Sequence, residues 1–283
     1  MSSEKREPQI RRILVALDTS AHSRAALAAA ADLAARFHAE LLGLFVEDVN
    51  LLRLAELPFA REVFIYSARR RELSTREMER QLRAQARRAR ELLRAEAERA
   101  ELEWSFEVAR GRITAELLRA ASEVDMIILG RAGWSMTQTR RLGSTARGVA
   151  VQAPSMALLL QEGGCLGPPV MVVYDGSEIG GRALETALDL SEDAGDILTV
   201  ILADGHEALP RLREEVNQHL RGAEQEVELR YVPLSASNVQ RLAHMVRMEG
   251  CGTLVLPAQS ELLHEAMLLD LLDETEIPVL LVR

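Results

Sequence analysis

Lysine is almost missing from this chain: Lys5 is the only one in 283 residues. A phosphate loop of the GxxxxGK[ST] type needs a lysine on the phosphates, and a kinase site needs one on a strand, so both are excluded. Schiff-base chemistry in the body of the chain falls with them. Cysteine is scarce too. Cys165 and Cys251 give neither a metal-ligand spacing nor a disulfide framework and read as incidental thiols. Aromatic residues make up 4% of the chain. No apolar run reaches the ~18 residues of a membrane span, and the opening MSSEKREPQIRR has no signal-peptide core, which predicts a cytoplasmic protein. The six histidines, His22 and His38 among them, show no HExxH spacing, and no nucleophile elbow is present. No catalytic set and no metal-ligand set are therefore expected.

What remains is ample material for packed cores. Hydrophobic residues form 48% of a chain long enough for two domains. The net charge is −9, unevenly spread. Residues 1–159 hold 26 Lys+Arg and 21 Asp+Glu, whereas residues 160–283 hold 8 and 22. The acidic total argues against nucleic acid as a partner. The mildly basic first part favours an anionic ligand.

The chain repeats itself. Ile13–Asp18 (ILVALD) aligns with Val170–Asp175 (VMVVYD) at an offset of 157, which also aligns Leu44–Asp48 with Ile201–Gly205. Further on, Met126–Leu129 aligns with Thr253–Leu256, and Ala157–Leu160 with Val279–Val282. The pattern predicts strands near 12–17, 40–46, 103–109, 125–129 and 156–160, with helices near 21–37, 74–100, 113–122 and 144–152. The second copy predicts strands near 169–174, 197–202, 226–232, 253–256 and 278–282. Alternating strands and helices imply right-handed βαβ units around a parallel sheet. The glycine- and proline-rich stretch 161–169 marks the boundary, giving domains 1–161 and 162–283.

The long helix near 74–100 carries Met78, Leu82, Ala86, Ala89, Leu93, Ala97 and Ala100 on one stripe. Ser74 and Glu77 have the spacing of a capping box. Residues 69–99 hold 11 arginines and 6 glutamates, read as a solvated face with pairs one helical turn apart.

The most specific feature is the run ILGRAGWSMTQTRRLGST at 128–145. Gly130 and Gly133 directly follow an apolar strand, and nine residues later Gly143-Ser144-Thr145 opens a helical pattern. Glycine lets backbone approach a ligand, and the free amides of a helix start suit a phosphate. Arg131, Arg140 and Arg141 border this loop, and Trp134 lies within it. In a parallel sheet, ligands bind beyond the carboxyl ends of the strands. Asp18, Val46 and Gly130 all fall at such ends. Asp18 equally suits the cap of the helix that follows it.

This G-2x-G-9x-G-[S/T] spacing resembles the nucleotide-binding signature of the universal stress protein family. VALDTS at 15–20, LFVED at 44–48, the Gly111 turn and the glycine loop fall in that family's order. The resemblance implies an α/β fold of two tandem five-stranded parallel-sheet domains, Rossmann-like and akin to the adenine nucleotide alpha hydrolases. It implies ATP (or ADP or AMP) in the first domain, with Mg2+ on the phosphates. Asp18 and the Val46 backbone would contact adenine, with Thr19, Ser20 and Leu129 beside them. Gly130 would lie near the ribose, and Gly133, Gly143, Ser144 and Thr145 would hold phosphates. Self-association through the terminal strands and an unidentified regulatory protein are the partners it implies.

Two departures stand out. Met156 replaces the family's usual proline, which the second copy keeps as Pro278. In the second copy Pro257-Ala-Gln-Ser260 stands in place of Gly130-x-x-Gly133, Ala203 replaces Val46, and residues 258–283 contain no glycine. That copy reads as degenerate and free of nucleotide. Two other readings stand beside the binding protein: a nucleotide hydrolase or nucleotidyl-transferring enzyme, and an interaction module without ligand. A carboxylate pair near the glycine loop would favour the enzyme, with Glu47 and Asp48 as candidates beside Asp18.

Overall fold

A computed structural model describes residues 10–18, 20–57, 61–63, 70–72, 74–131, 142–161, 164, 166–191, 197–203, 209–219, 228–234, 239–248, 250, 252–259 and 263–283. The first part runs β1 (Arg12–Ala16), α1 (Ala21–Phe37), β2 (Glu40–Asp48), α2 (Val49–Ala55), β3 (Arg61–Val63), β4 (Arg70–Glu72), α3 (Thr75–Arg99), β5 (Trp104–Gly111), α4 (Ile113–Ala121), β6 (Met126–Gly130), α5 (Ser144–Gln152) and β7 (Met156–Leu160). The second runs β8 (Val170–Tyr174), α6 (Glu178–Leu190), β9 (Ile197–Ala203), α7 (Leu209–His219), β10 (Glu228–Leu234), α8 (Val239–Met248), β11 (Thr253–Pro257), α9 (Glu265–Glu274) and β12 (Val279–Val282). Every predicted strand and helix is present, with ends within about two residues. The short α2 and the β3–β4 hairpin have no counterpart in the sequence reading. Both are too short to carry a period.

Ten strands form one sheet in the order β10-β9-β8-β11-β12-β7-β6-β1-β2-β5. Each half contributes five parallel strands in equivalent order, with β1 and β8 in matching places. Two five-stranded sheets with their terminal strands near each other were expected; those strands pair, and the halves share one sheet. The reason lies in β7 and β12, whose residues are all buried. Either strand alone would present an apolar edge with unpaired backbone groups. They pair antiparallel instead, Leu158 opposite Leu280. Both terminal strands are thus consumed within one chain. The edge offered to a second copy is therefore not theirs, and the sheet ends at β5 and β10.

Alternate strand residues feed two apolar layers, as the pleat requires. Ile13 and Val15 face α1 and α3 with α6 and α7, whereas Leu14 faces α4 and α5 with α8 and α9. α1 packs closely because its inner face is mostly alanine: Ala26, Ala30 and Ala34 are fully buried. The α3 stripe is buried at Leu82, Ala86, Ala89, Leu93 and Ala97, as its spacing predicted. Each buried leucine contributes about 1.5–3 kcal/mol relative to exposure. The stripe therefore decides which way an otherwise arginine-rich helix faces.

Candidate functional site

A cavity of about 600 Å³ opens beyond the carboxyl ends of β1, β2 and β6. Its size falls within the ~300–1,000 Å³ of ligand pockets. Of the residues singled out from sequence, Asp18, Ser20, Val46, Leu129, Gly130, Gly143, Ser144 and Thr145 line it together. Thr19 and Gly133 lie outside the described residues, as do Trp134, Arg140 and Arg141.

The loop after β1 is built from three side chains. Asp18 Oδ1 accepts from Ser20 N at 2.9 Å. Ser20 is the N-cap of α1, and its hydroxyl accepts from Ser23 N at 3.1 Å. The Ser23 hydroxyl in turn accepts from Asp18 N at 3.1 Å. The cap role open to Asp18 thus belongs to Ser20. Asp18 holds the loop that leads into the helix, one residue pair earlier, with its carboxylate at the cavity wall.

Gly130 ends β6, paired with Leu160. A Cβ there would sit 2.7 Å from His22 Cβ and 3.2 Å from the His22 carbonyl carbon. The glycine thus serves first to let α1 start close against β6. From this point the backbone turns through two bonds: Arg131 N donates to Leu160 O at 2.6 Å, and Gly143 N donates to Arg131 O at 2.8 Å. Gly143 is the N-cap of α5 with φ −61°, an ordinary extended conformation. Its value here is not a positive φ but a cap without a side chain. The first helical bond runs from Arg147 N to Gly143 O at 2.9 Å. The amides of Ser144, Thr145 and Ala146 precede it, at the positive end of the helix dipole.

Arg131 lines the cavity and is only 5% exposed. Among the described residues, its Nη1 and Nη2 are buried without a hydrogen-bond partner. Burial pulls its pKa down, while Asp273 and Glu276 act in the opposite direction. A buried guanidinium with unused donors is an unsatisfied cation, which an anion entering the cavity would satisfy.

The carboxylates at the far side are already engaged. Glu47 Oε2 accepts from Arg110 Nε at 2.8 Å and lies 2.7 Å from Arg110 Nη2. That hydrogen bond raises the Arg110 pKa. Asp48 caps α2, accepting from Asn50 N at 2.9 Å. Among the described residues, no group of three His, Cys, Asp or Glu side chains is placed to hold a metal ion.

Several lining residues escaped the sequence reading. Met78, Gln81, Leu82 and Gln85 come from the first turns of α3, and Ile113 and Leu117 from α4. Met78 and Leu82 carry the apolar spacing of a core stripe, and nothing in that spacing distinguishes a cavity wall from a core. Only the packing of α3 over β2 does so.

The second half repeats two of the three bonds of the first loop, Gly180 standing in the place of Ser23 without a hydroxyl. Asp175 Oδ1 accepts from Ser177 N at 3.0 Å, and Ser177 caps α6 by accepting from Gly180 N at 2.9 Å. Pro257 occupies the place of Gly130, paired with Val282 as Gly130 is with Leu160. It brings no amide hydrogen to that turn.

A family model described as the universal stress protein family matches residues 9–161. Two solved structures share the fold over nearly the whole length. A universal stress protein from Archaeoglobus fulgidus DSM 4304 is 18% identical with a TM-score of 0.71, over 95% of this chain and 97% of that one. A putative universal stress protein from Pseudomonas aeruginosa UCBPP-PA14 is 16% identical with a TM-score of 0.56, over 96% of this chain and 92% of that one. At such identities the likeness speaks to fold alone. No curated protein matches the chain. Among the described residues, no helix is long and apolar enough to cross a membrane. The matched span takes in β1 through β7 and every residue of the cavity wall, and the chain belongs to the universal stress protein family.

Proposed function

We propose that this chain is a tandem universal stress protein of two domains, 1–161 and 162–283, that binds one adenine nucleotide in the first. It acts as a ligand-responsive binding protein of the cytoplasm. The observation that carries this reading is the convergence on one cavity of Asp18, Val46, Gly130, Gly143, Ser144 and Thr145 with the unpartnered guanidinium of Arg131. In this reading Asp18 and the Val46 backbone hold the base, Gly130 lies near the ribose, and Ser20 and Leu129 belong to the same binding wall. The amides that open α5, the hydroxyls of Ser144 and Thr145, Arg131 and Gly133 hold phosphates, and Thr19 stands with Asp18. Mg2+ would enter on the phosphate oxygens and supply charge neutralisation there. The second domain, with Pro257 in place of the glycine, carries no nucleotide.

Turnover is expected to be slow. Glu47 pairs with Arg110 and Asp48 caps α2, engagements that support this expectation. Amides and hydroxyls that bind ground and transition states alike do not accelerate chemistry. Calorimetric titration with ATP should give one site per chain, abolished by Gly133→Val with Gly143→Val. Two sites per chain, or tight binding that survives the double substitution, would overturn the reading. Phosphate release above about one per second, against the ~1–100 s⁻¹ of kinases, would favour the hydrolase.

A further inference from the structure

Helix α5 presents Gly143, Ser144 and Thr145 to the cavity, and the second half of the chain holds it at both ends. At its start, Asp273 of α9 accepts from Leu142 N through Oδ1 at 2.8 Å. The other oxygen, Oδ2, accepts from Arg147 Nη2 at 2.9 Å. One carboxylate thus joins the residue before the N-cap to the first turn of the helix. At the other end, the 9% exposed Arg283 donates through Nη1 to Ser155 O at 3.0 Å and through Nη2 to Ala150 O. That places a cation against the carbonyls of the helix C-terminus, where the dipole favours it.

The start of α5 has few holdings of its own. Gly143 has no side chain to cap it. Nine residues are too few for a helix to be stable alone, so its direction is set by what it packs against. The backbone bonds Arg131 N to Leu160 O and Gly143 N to Arg131 O tie the turn to β7. Asp273 supplies the tie to the opposite side. The Asp273 tie is not mirrored in the second half. The offset that aligns Ala157 with Val279 places Val151 opposite Asp273, and valine accepts no hydrogen bond. The Asp273 tie therefore runs one way, from the half without the glycine loop to the half that has it, whereas past the helix ends the hold is mutual, since Gln161 Nε2 donates to Glu276 O just beyond α9.

We infer that Asp273 is a positioning residue for the first-domain cavity: it orients the α5 N-terminus so that the amides of Ser144, Thr145 and Ala146 meet a phosphate group. This rests on the nucleotide reading of that cavity. The Arg131 guanidinium, which has no hydrogen-bond partner on Nη1 and Nη2 among the described residues and also feels the field of Asp273 and Glu276, is an independent sign that an anion belongs there. The role has a definite sign. By charge alone, a carboxylate beside the helix start repels a phosphate, and its removal would tighten binding. As a clamp its removal weakens binding, because preorganised donors lose their alignment.

The experiment compares the full-length wild type with Asp273→Ala and Asp273→Asn, titrated with ATP and with adenosine. Asp273→Ala is expected to lose about tenfold in ATP affinity, the equivalent of one to two hydrogen bonds, and less than about twofold for adenosine. Asp273→Asn, whose amide oxygen still accepts from Leu142 N, should recover most of the loss. Hydrogen exchange adds a readout that needs no ligand: amides of residues 142–147 should exchange faster in Asp273→Ala. ATP binding as tight as or tighter than wild type, equal losses for ATP and adenosine, or unchanged exchange at 142–147 would each overturn the clamp. Absence of ATP binding in the wild type would overturn the nucleotide reading, and with it the role assigned to Asp273.

Discussion

Gly130 answers two demands at once, and they are separable. Its missing Cβ leaves room for the first turn of α1, 2.7 Å from His22 Cβ, and keeps the end of β6 open toward the cavity. Part of the obstruction is backbone, the His22 carbonyl carbon at 3.2 Å, so the neighbour gives way only by shifting the helix. Gly130→Ala should cost about 1–3 kcal/mol as an overpacking substitution, measured by chemical denaturation. A change below ~0.5 kcal/mol would show that α1 yields freely. Tyr174 offers a residue-scale test in the other half. Burial, with Glu215 next in effect, pushes its phenol up to about 12. Its hydroxyl donates to Glu215 Oε2 at 3.2 Å, and its ring meets His219 edge-on at 6.2 Å. The unfolded chain ionises tyrosine near ~10, so the folded state holds this proton more tightly. Stability is then full below pH ~10 and falls as pH rises toward 12, more steeply than in Tyr174→Phe. Parallel pH-stability curves for the two proteins would refute it.

At the scale of elements, two serines at helix starts have different fates. Ser20 caps α1 through its hydroxyl. Ser74 stands at the start of α3 but makes no side-chain cap bond, so the box expected with Glu77 does not form. Backbone bonds from Glu77 N and Met78 N to Ser74 O, at 3.0 and 2.9 Å, carry that turn instead. Ser20→Ala should therefore destabilise by ~1 kcal/mol, while Ser74→Ala stays within ~0.5 kcal/mol. Thermal denaturation of the pair decides it, and equal losses would contradict the assigned caps. The long, basic α3 behaves as its periodicity demands, burying alanine and leucine and leaving arginine in water. Its ion pairs, such as Arg83 with Glu79 and Arg94 with Glu98, both at 3.6 Å, are exposed and contribute little.

For the whole molecule the decisive junction is β7 against β12. Both strands are apolar throughout, and their pairing turns two sheet edges into the middle of one sheet. Asp273 with Arg147, and Arg36 Nη1 with Leu190 O at 3.2 Å, add polar ties across the same junction. A chain ended after Gln161 would expose β7 as an open edge of five buried residues. It should associate or precipitate, whereas the full chain keeps that edge covered. Light scattering of the two would show it, and a stable monomer of the short form would refute it.

The sequence by itself determined most of the local order. Short apolar runs, the repeat and period-3.6 stripes placed every strand of the large sheet and α1, α3, α4 and α5, because those patterns follow from which faces must be buried. The repeat placed β1 opposite β8, and glycine spacing pointed to the cavity that Gly130 and Gly143 line. It did not reveal that Ser20 rather than Asp18 caps α1, since both lie within reach of the same amides. Nor did it give the cavity wall contributed by Met78 and Gln85, or the reach of Asp273 to Leu142, across 131 positions. Contacts between segments remote in sequence leave no period behind. They are decided only when the halves close β7 on β12, because that pairing brings α9 beside α5.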